Sequence, residues 1–173
     1  MKNTRLAFLL STFIITACSF QKSENSIIII PENYSGPVVI TFNQENGEPK
    51  TYERNSRVYK INDNGVLKTQ FDPQYKSHFQ KVYIQNDSSR VEVPVVFEVN
   101  EDSKDSLAQA SKIYAYGFLQ SGRGEKYDPD TEELISVQEP ELSFYIGSIE
   151  KYDESHFEQM KFILRNRETD NGN

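Results

Sequence analysis

The sequence predicts a mainly β domain, an antiparallel meander with a sandwich-like core, closed by one C-terminal α-helix. Apolar and polar residues alternate over residues 38–42, 57–61 and 66–71, and a period of two is that of a strand with one buried face. Asn-Gly pairs at 46–47 and 64–65 separate these segments, and such pairs tolerate the positive φ that tight hairpin turns need. The apolar period becomes helical only near the C-terminus.

We expect residues 36–71 to form a β-meander, in which each strand pairs with the next one along the chain. Four isoleucines at 27–30 precede this stretch, and Pro31 ends them. Because β-branched side chains pack well on a pleated sheet, this run predicts a first buried strand.

A second hairpin is predicted further along the chain. Residues 82–84 and 91–99 are strand-like and flank a polar turn at 86–89. Pro94 lies inside the second segment, and proline cannot donate a hydrogen bond to a neighbouring strand, so we expect an edge strand or a bulge there. The charged residues 100–106 are expected to form a solvated connector.

Further strands are predicted before the C-terminal helix. Residues 113–119 are apolar and aromatic, and Gly117 among them predicts a bulge. Residues 134–137 and 142–149 predict two more strands. Residues 120–130, which contain glycines, a proline and acids, predict the longest loop.

The last element is expected to be an amphipathic helix. Asp153 is the expected N-cap, and Tyr152 and Phe157 are spaced to form a hydrophobic staple around it. Phe157, Met160 and Leu164 fall on one face, which we expect to cover a sheet.

The N-terminus carries the features of a secretory signal peptide. Lys2 and Arg5 supply positive charge, and the apolar run at 6–15 is too short to span a bilayer as a helix. Residues 15–18, Ile-Thr-Ala-Cys, resemble the lipobox of bacterial lipoproteins. The resemblance implies cleavage before Cys18 and acylation of its thiol. The alternative is a signal peptide that is cleaved elsewhere and leaves the thiol free.

These features divide the chain into four parts. Residues 1–17 are the expected signal peptide, 18–25 a lipidated tether, 26–168 one mainly β domain with its C-terminal helix, and 169–173 a frayed tail. The chain has one cysteine, which excludes an internal disulfide and a cysteine-based zinc site. We expect a protein of the cell envelope, held by lipid to a membrane outside the cytoplasm.

The charge of the chain bears on its partners. It carries 19 basic and 26 acidic residues, a net charge of −7, and loss of the signal peptide with Lys2 and Arg5 leaves 17 against 26, or −9. Negative charge of this size argues against nucleic acid as a partner. The expected partners are the membrane, through the lipid anchor, and an envelope protein or polysaccharide.

The sequence contains no pattern that points to a particular enzyme. There is no Gly-x-Ser-x-Gly motif, and His78 and His156 each lack a second histidine four residues away. We therefore expect a non-enzymatic binding or envelope-associated module with no cofactor. The alternative is a hydrolase that acts on envelope material through paired carboxylates.

One acidic run is a candidate calcium site. Asp128, Asp130 and Glu132 alternate along the chain, and carboxylate oxygens are ligands that calcium prefers. Pro129 and the missing glycine depart from the EF-hand pattern, and a solvated acidic loop is the other interpretation.

Tyrosines in or beside predicted loops are candidates for contact with a partner, because tyrosine offers a rigid apolar body with a polar tip. These candidates are Tyr34, Tyr52, Tyr75 and Tyr127.

Residues 57–71, RVYKINDNGVLKTQF, resemble an uncharacterised domain that recurs in bacterial lipoproteins. In that domain an arginine-x-tyrosine strand precedes a turn and a glycine-led strand, and the resemblance extends over residues 27–150. The pattern is also similar to prealbumin-like β-sandwiches at the level of the fold. The lipoprotein domain has no assigned activity, so the resemblance implies no catalytic residue.

Overall fold

The computed structural model describes residues 23–76, 78–110 and 112–170. The strands in these ranges are β1 Asn25–Pro31, β2 Gly36–Thr41, β3 Thr51–Glu53, β4 Ser56–Lys60, β5 Val66–Lys68, β6 Gln80–Gln85, β7 Arg90–Val93, β8 Val95–Val96, β9 Ile113–Ser121, β10 Gly124–Tyr127, β11 Leu134–Gln138 and β12 Glu141–Ser148. The helices are α1 Glu101–Gln109, a 3-10 turn Ile149–Lys151, and α2 Tyr152–Asp170. The predicted mainly β class with a C-terminal helix is confirmed.

The strands form two five-stranded sheets and a separate hairpin. Sheet A has the order β3-β4-β1-β6-β7, sheet B has the order β5-β2-β12-β9-β8, and β10 pairs with β11 alone. The isoleucine strand β1 is central in sheet A and parallel to both neighbours. A continuous apolar run suits this position, because a central strand covered on both faces has no solvent side for polar residues. Strand β12 is central in sheet B and antiparallel to both neighbours.

The two sheets share one hydrophobic core. Ile28 and Ile30 come from sheet A, and Val38, Ile40 and Phe144 come from sheet B; all five side chains are fully buried in the same cluster. The alternation seen in the sequence therefore reports the core-facing side of each strand, and the sandwich-like core is confirmed.

The predicted pairing of the meander is wrong. Strand β2 lies in sheet B, between β12 and a parallel β5, whereas β4 lies in sheet A, parallel to β1. Consecutive segments thus alternate between sheets. Because both sheets face one core, alternation specifies a buried face but does not specify the sheet to which a strand belongs.

The Asn-Gly turns carry the chain between the sheets instead of closing hairpins. Gly65 lies between β4 and β5 with φ at +82°, and a Cβ there would lie 1.9 Å from the hydroxyl oxygen of Tyr34. The position therefore requires glycine both for its φ and for the close approach. The pair at 46–47 lies in the connection from β2 back to β3 in sheet A.

The predicted interruptions at Pro94 and Gly117 are both present, although Pro94 ends one strand and does not bulge within it. Pro94 separates β7, an edge of sheet A, from β8, an edge of sheet B, so the predicted strand 91–99 is broken where the chain changes sheets. Gly117 has φ at +68°, and the β9–β12 register shifts opposite it, which is the expected bulge.

Two predicted irregular segments contain regular structure. The prediction of an irregular connector at 100–106 is wrong, because α1 begins at Glu101. Asn100 caps the helix: its Oδ1 accepts from the Ser103 amide (2.8 Å), and its own amide donates to Ser103 Oγ (3.1 Å). This is a capping box with serine in the place of the usual glutamate. The prediction of a loop at 120–130 is also wrong in part, because these residues contain β10. This strand is largely exposed, so its sequence has no alternation of apolar and polar residues that would have indicated it.

Helix α2 buries a different face from the predicted one. The helix starts at Tyr152 after the 3-10 turn, so Asp153 is not its N-cap. Ser155, Gln159 and Ile163 are buried, whereas Phe157 is 63% exposed. Neither helix in the described residues is long and apolar enough to cross a membrane.

Candidate functional site

The predicted lipid attachment residue, Cys18, lies outside the described residues. The described chain starts at Ser23, five residues later, and β1 begins at Asn25. The first residue that pairs in a sheet, Asn25, therefore lies one residue before the predicted start of the domain at residue 26.

A buried arginine holds the first described residues against the domain. Arg57 lies on β4, beside Ser26 of β1, and is only 6% exposed. Its Nε donates to a Glu24 carboxylate oxygen (2.6 Å), and its Nη1 donates to the Asp72 carbonyl (2.5 Å). The guanidinium also lies 4.9 Å from the centre of the Phe71 ring. A charged side chain that is buried from solvent is stable only when it is paired and hydrogen-bonded, as Arg57 is.

Residues 72–76 and 78–79, which we call the junction loop, run beside the same residues. The Glu24 amide donates to Gln74 Oε1 (2.7 Å), and Gln74 Nε2 donates to the Glu24 carbonyl (3.1 Å). The hydroxyl of Ser23 donates to the Lys76 carbonyl (3.3 Å), and the Ser26 amide donates to the Phe79 carbonyl. The start of the domain is thus fixed to one end of sheet A.

Two aromatic side chains of the junction loop face solvent. Tyr75 is 64% exposed and Phe79 is 63% exposed. Tyr52 is half exposed nearby, because its ring packs edge-on against Phe71, with the ring centres 5.3 Å apart. Of the four tyrosines predicted as contact residues, Tyr52 and Tyr75 therefore lie at the junction end.

The other two predicted tyrosines lie elsewhere. Tyr34 is part of the connection from β1 to β2, and its hydroxyl donates to the Pro37 carbonyl. Burial raises the pKa of Tyr34 to about 12. The hydroxyl of Tyr127 donates to a Glu125 oxygen (2.6 Å) on the β10–β11 hairpin. The structure does not bring the four tyrosines together on one surface.

The acidic run forms the turn of that hairpin. Asp128 Oδ1 accepts from the amides of Thr131 and Asp130, both at 2.9 Å, and these backbone bonds hold the pKa of the Asp128 carboxyl below its usual value. Glu132 follows with φ at +58°. Within the part of the chain that the structure describes, no three His, Cys, Asp or Glu side chains are grouped to hold a metal ion. Calcium binding here stays a prediction.

An open groove of about 650 Å³ lies beside β5, between the two Asn-Gly turns. Its polar lining residues are Asn46, Asn62, Asn64, Asn166, Glu48, Lys60 and Lys68. Side-chain amides both donate and accept hydrogen bonds, and ammonium groups donate them. The sequence analysis identified two of these asparagines, Asn46 and Asn64, only as turn residues, and the concentration of asparagine around two turns is the signal that could have indicated a shared site.

The groove asparagines are also fixed by the turn. The oxygens of Asn62 and Asn64 both accept from the Val66 amide at 3.0 Å. Leu67, which is buried, and Ile61 lie beneath them. The groove therefore has an apolar base and a rim of exposed amides.

Comparison with known proteins gives a family but no curated relative. No curated protein matches this chain. A solved structure from Bacillus anthracis, described as a "putative lipoprotein", is similar with a TM-score of 0.46 and 16% identity, covering 72% of this chain and 71% of that chain. The model of a family of unknown function, DUF6843, matches residues 22–128, which run from the junction through β10 and make up well over half of the chain. The chain belongs to the DUF6843 family.

Proposed function

We propose that this protein is a lipoprotein of the cell envelope, anchored outside the cytoplasm through Cys18, and that it acts as a non-enzymatic binding module. The observation that carries the proposal is the short spacing between the lipobox-like residues 15–18 and the Arg57–Glu24 pair. Only six residue steps separate Cys18 from Glu24, which span at most about 22 Å. A lipid on Cys18 would hold this domain against its membrane.

The groove beside β5 supports the binding role. Its exposed amides suit a ligand with many hydroxyl groups. Two ammonium groups, of Lys60 and Lys68, and one carboxylate, of Glu48, give the lining a net charge of +1, which suits some negative charge on the ligand. An acidic polysaccharide of the envelope has this chemistry. The volume of the groove, about 650 Å³, is within the range of small-molecule sites and would hold a short segment of such a chain.

His78 illustrates why a binding role is preferred over acid–base chemistry at the junction. Its Nδ1 lies 2.9 Å from the Lys76 carbonyl, which can only accept, so Nδ1 carries the proton. Nε2 then accepts from the Gln80 amide nitrogen at 3.1 Å. Both ring nitrogens are engaged in holding the junction loop.

The anchor is tested with Cys18→Ala in the native cell. Labelled fatty acid should be incorporated into the wild-type protein and not into the variant, and the variant should leave the membrane fraction as a folded protein. Undiminished fatty-acid labelling of Cys18→Ala would refute the anchor.

The groove is tested by binding of the purified protein to polysaccharide from the same envelope. Lys60→Ala should weaken binding about tenfold, since a charge-assisted hydrogen bond is worth about 1.5 kcal/mol or more. Lys81→Ala is the matched control, because Lys81 is also exposed but lies on β6 and bonds Glu92 at 3.5 Å. Equal loss in both variants, or no binding by the wild type, would exclude the groove as the site.

A further inference from the structure

We infer that the junction end of the domain lies on the lipid bilayer, with the side chains of Tyr75 and Phe79 in its interfacial layer. The inference rests on the proposed acylation of Cys18. It adds a defined orientation and a second contact with the membrane, made by the folded domain itself.

The length of chain before the domain limits where the membrane can be. Five residue steps join Cys18 to Ser23, and they span at most about 18 Å when fully extended. Ser23 is bonded to the Lys76 carbonyl, and Phe79 is bonded to Ser26 through its carbonyl. The junction loop is therefore held beside the point at which the chain from the acylated residue enters the domain.

The direction of the strands makes this end the nearest one. Strands β1 and β6 run parallel, with Ser26 beside Gln80 at the junction and Pro31 beside Gln85 at the other end. Five residues of strand separate the two ends, about 17 Å. The tether can bring the junction end to the membrane without stretching, whereas it must be almost fully extended along the domain to bring the far end there.

The chemistry of the exposed side chains suits the bilayer interface. Tyr75 and Phe79 are 64% and 63% exposed, although both are aromatic. Aromatic side chains favour the membrane–water interface, and tyrosine places its ring in the apolar layer with its hydroxyl among the head groups. Such a contact adds a second signal to lipid anchoring, and two signals hold a protein more stably than one.

The local charge also favours this end. The junction loop contains one lysine and one aspartate, a net charge of zero, whereas the chain without residues 1–17 carries −9. Anionic head groups repel an acidic surface and attract a basic one within about a Debye length. The junction loop is thus better suited to face anionic lipid than the chain as a whole.

The test uses the full acylated protein, reconstituted in protein-free vesicles of phosphatidylethanolamine and phosphatidylglycerol. Acylation consumes the single native thiol, so a cysteine introduced by Tyr75→Cys or by Phe79→Cys can be labelled alone with a bimane fluorophore. Ile113→Cys is the control. Ile113 is also an exposed apolar residue, but it pairs with Ser148 at the end of β9 opposite to Gln120, whose side chain donates to the Gln74 carbonyl of the junction loop.

A phospholipid with a nitroxide near its glycerol backbone serves as the quencher. We expect quenching at positions 75 and 79 to exceed that at position 113 several-fold. Similar quenching at all three positions, or no quenching at 75 and 79, would overturn the inference. Protection of 75 and 79 in native envelopes without quenching in vesicles would also overturn it, since it would mean that a protein covers the loop.

The acylation state of Cys18 distinguishes a failure of this inference from a failure of the proposed function. Mass spectrometry of each labelled protein shows whether Cys18 is acylated. An unmodified Cys18 refutes the anchor, whereas an acylated protein without quenching at the junction loop keeps the anchor and refutes only the membrane contact.

Discussion

Arg57 is a charged residue in a place where a hydrophobic residue would be expected. Its alternating neighbours Val58 and Tyr59 are buried, and Arg57 itself is 6% exposed. The side chain joins β4 to two other parts of the chain, Glu24 and the adjacent residues Phe71 and Asp72. It therefore connects the start of the domain to the junction loop, and its removal should affect both.

Replacement of this arginine should be costly. Arg57→Ala removes two hydrogen bonds, leaves the Asp72 carbonyl without its donor and opens a space over Phe71, so we expect the free energy of unfolding to fall by about 2 kcal/mol or more. Urea denaturation measures this change. Arg90→Ala is the control, because Arg90 bonds Glu53 at the same 2.6 Å but is exposed, and exposed pairs contribute less than about 1 kcal/mol. Equal costs would mean that burial of Arg57 adds nothing.

Tyr34 predicts a dependence of stability on alkaline pH. Burial raises its pKa to about 12 in the folded protein, above the value of about 10 in an unfolded chain. The folded state thus holds this proton more tightly, so the contribution of Tyr34 to stability is complete below pH about 10 and is lost as the pH rises through 12. In Tyr34→Phe the free energy of unfolding should fall less steeply between pH 10 and 12. Identical slopes in urea titrations of the two proteins would contradict the assignment.

At the scale of the element, helix α2 makes polar contacts with sheet B that no apolar pattern in the sequence contains. Gly117 bulges out of the β9–β12 pairing, and Gln159 Nε2 donates to its carbonyl (3.0 Å) and to Ser143 Oγ (3.1 Å). A buried carbonyl needs a donor, and the glutamine supplies it. Phe157 lies on the solvent side, and the Lys161 ammonium lies over its ring, 4.1 Å from the ring centre.

The two faces of α2 predict opposite results for two substitutions. Gln159→Ala should lower the free energy of unfolding by about 1–3 kcal/mol, because it leaves buried polar groups without partners. Phe157→Ala should cost less than about 1 kcal/mol, since it removes an exposed ring and a weak cation–π contact. Chemical denaturation of both variants decides between the faces. A larger cost for Phe157→Ala would restore the face that the apolar spacing predicts.

The sequence was sufficient to locate most strands but not to pair them. Ile28 and Ile40 each lie on a predicted strand and each face the core, yet one belongs to sheet A and the other to sheet B. A period of two records burial, which is local, whereas pairing depends on residues far apart in the chain. The Arg57–Glu24 contact could not be predicted for the same reason. The two residues are 33 positions apart, and the sequence around each contains no pattern that indicates the other.

At the scale of the whole molecule, the chain passes back and forth between the sheets. Strand β1 lies in sheet A, β2 in sheet B, β3 and β4 in A, β5 in B, β6 and β7 in A, and β8 in B. Neither sheet can form from one continuous part of the chain. Because the sheets also share one core, loss of either sheet exposes the apolar face of the other. The hairpin β10–β11 is outside this arrangement, since it pairs only with itself.

This interlocking predicts that both sheets unfold together. Ile28→Val, in the centre of sheet A, should cost about 0.5–1.5 kcal/mol. A loss of about 1 kcal/mol raises the exchange rate of globally protected amides about fivefold, and we expect this increase equally in β1 and in β12 of sheet B. Amides of the β10–β11 hairpin, which open locally, should exchange at unchanged rates. Native-state hydrogen exchange resolved by NMR measures all three groups. Faster exchange in β1 with no change in β12 would mean that the sheets open separately despite their common core.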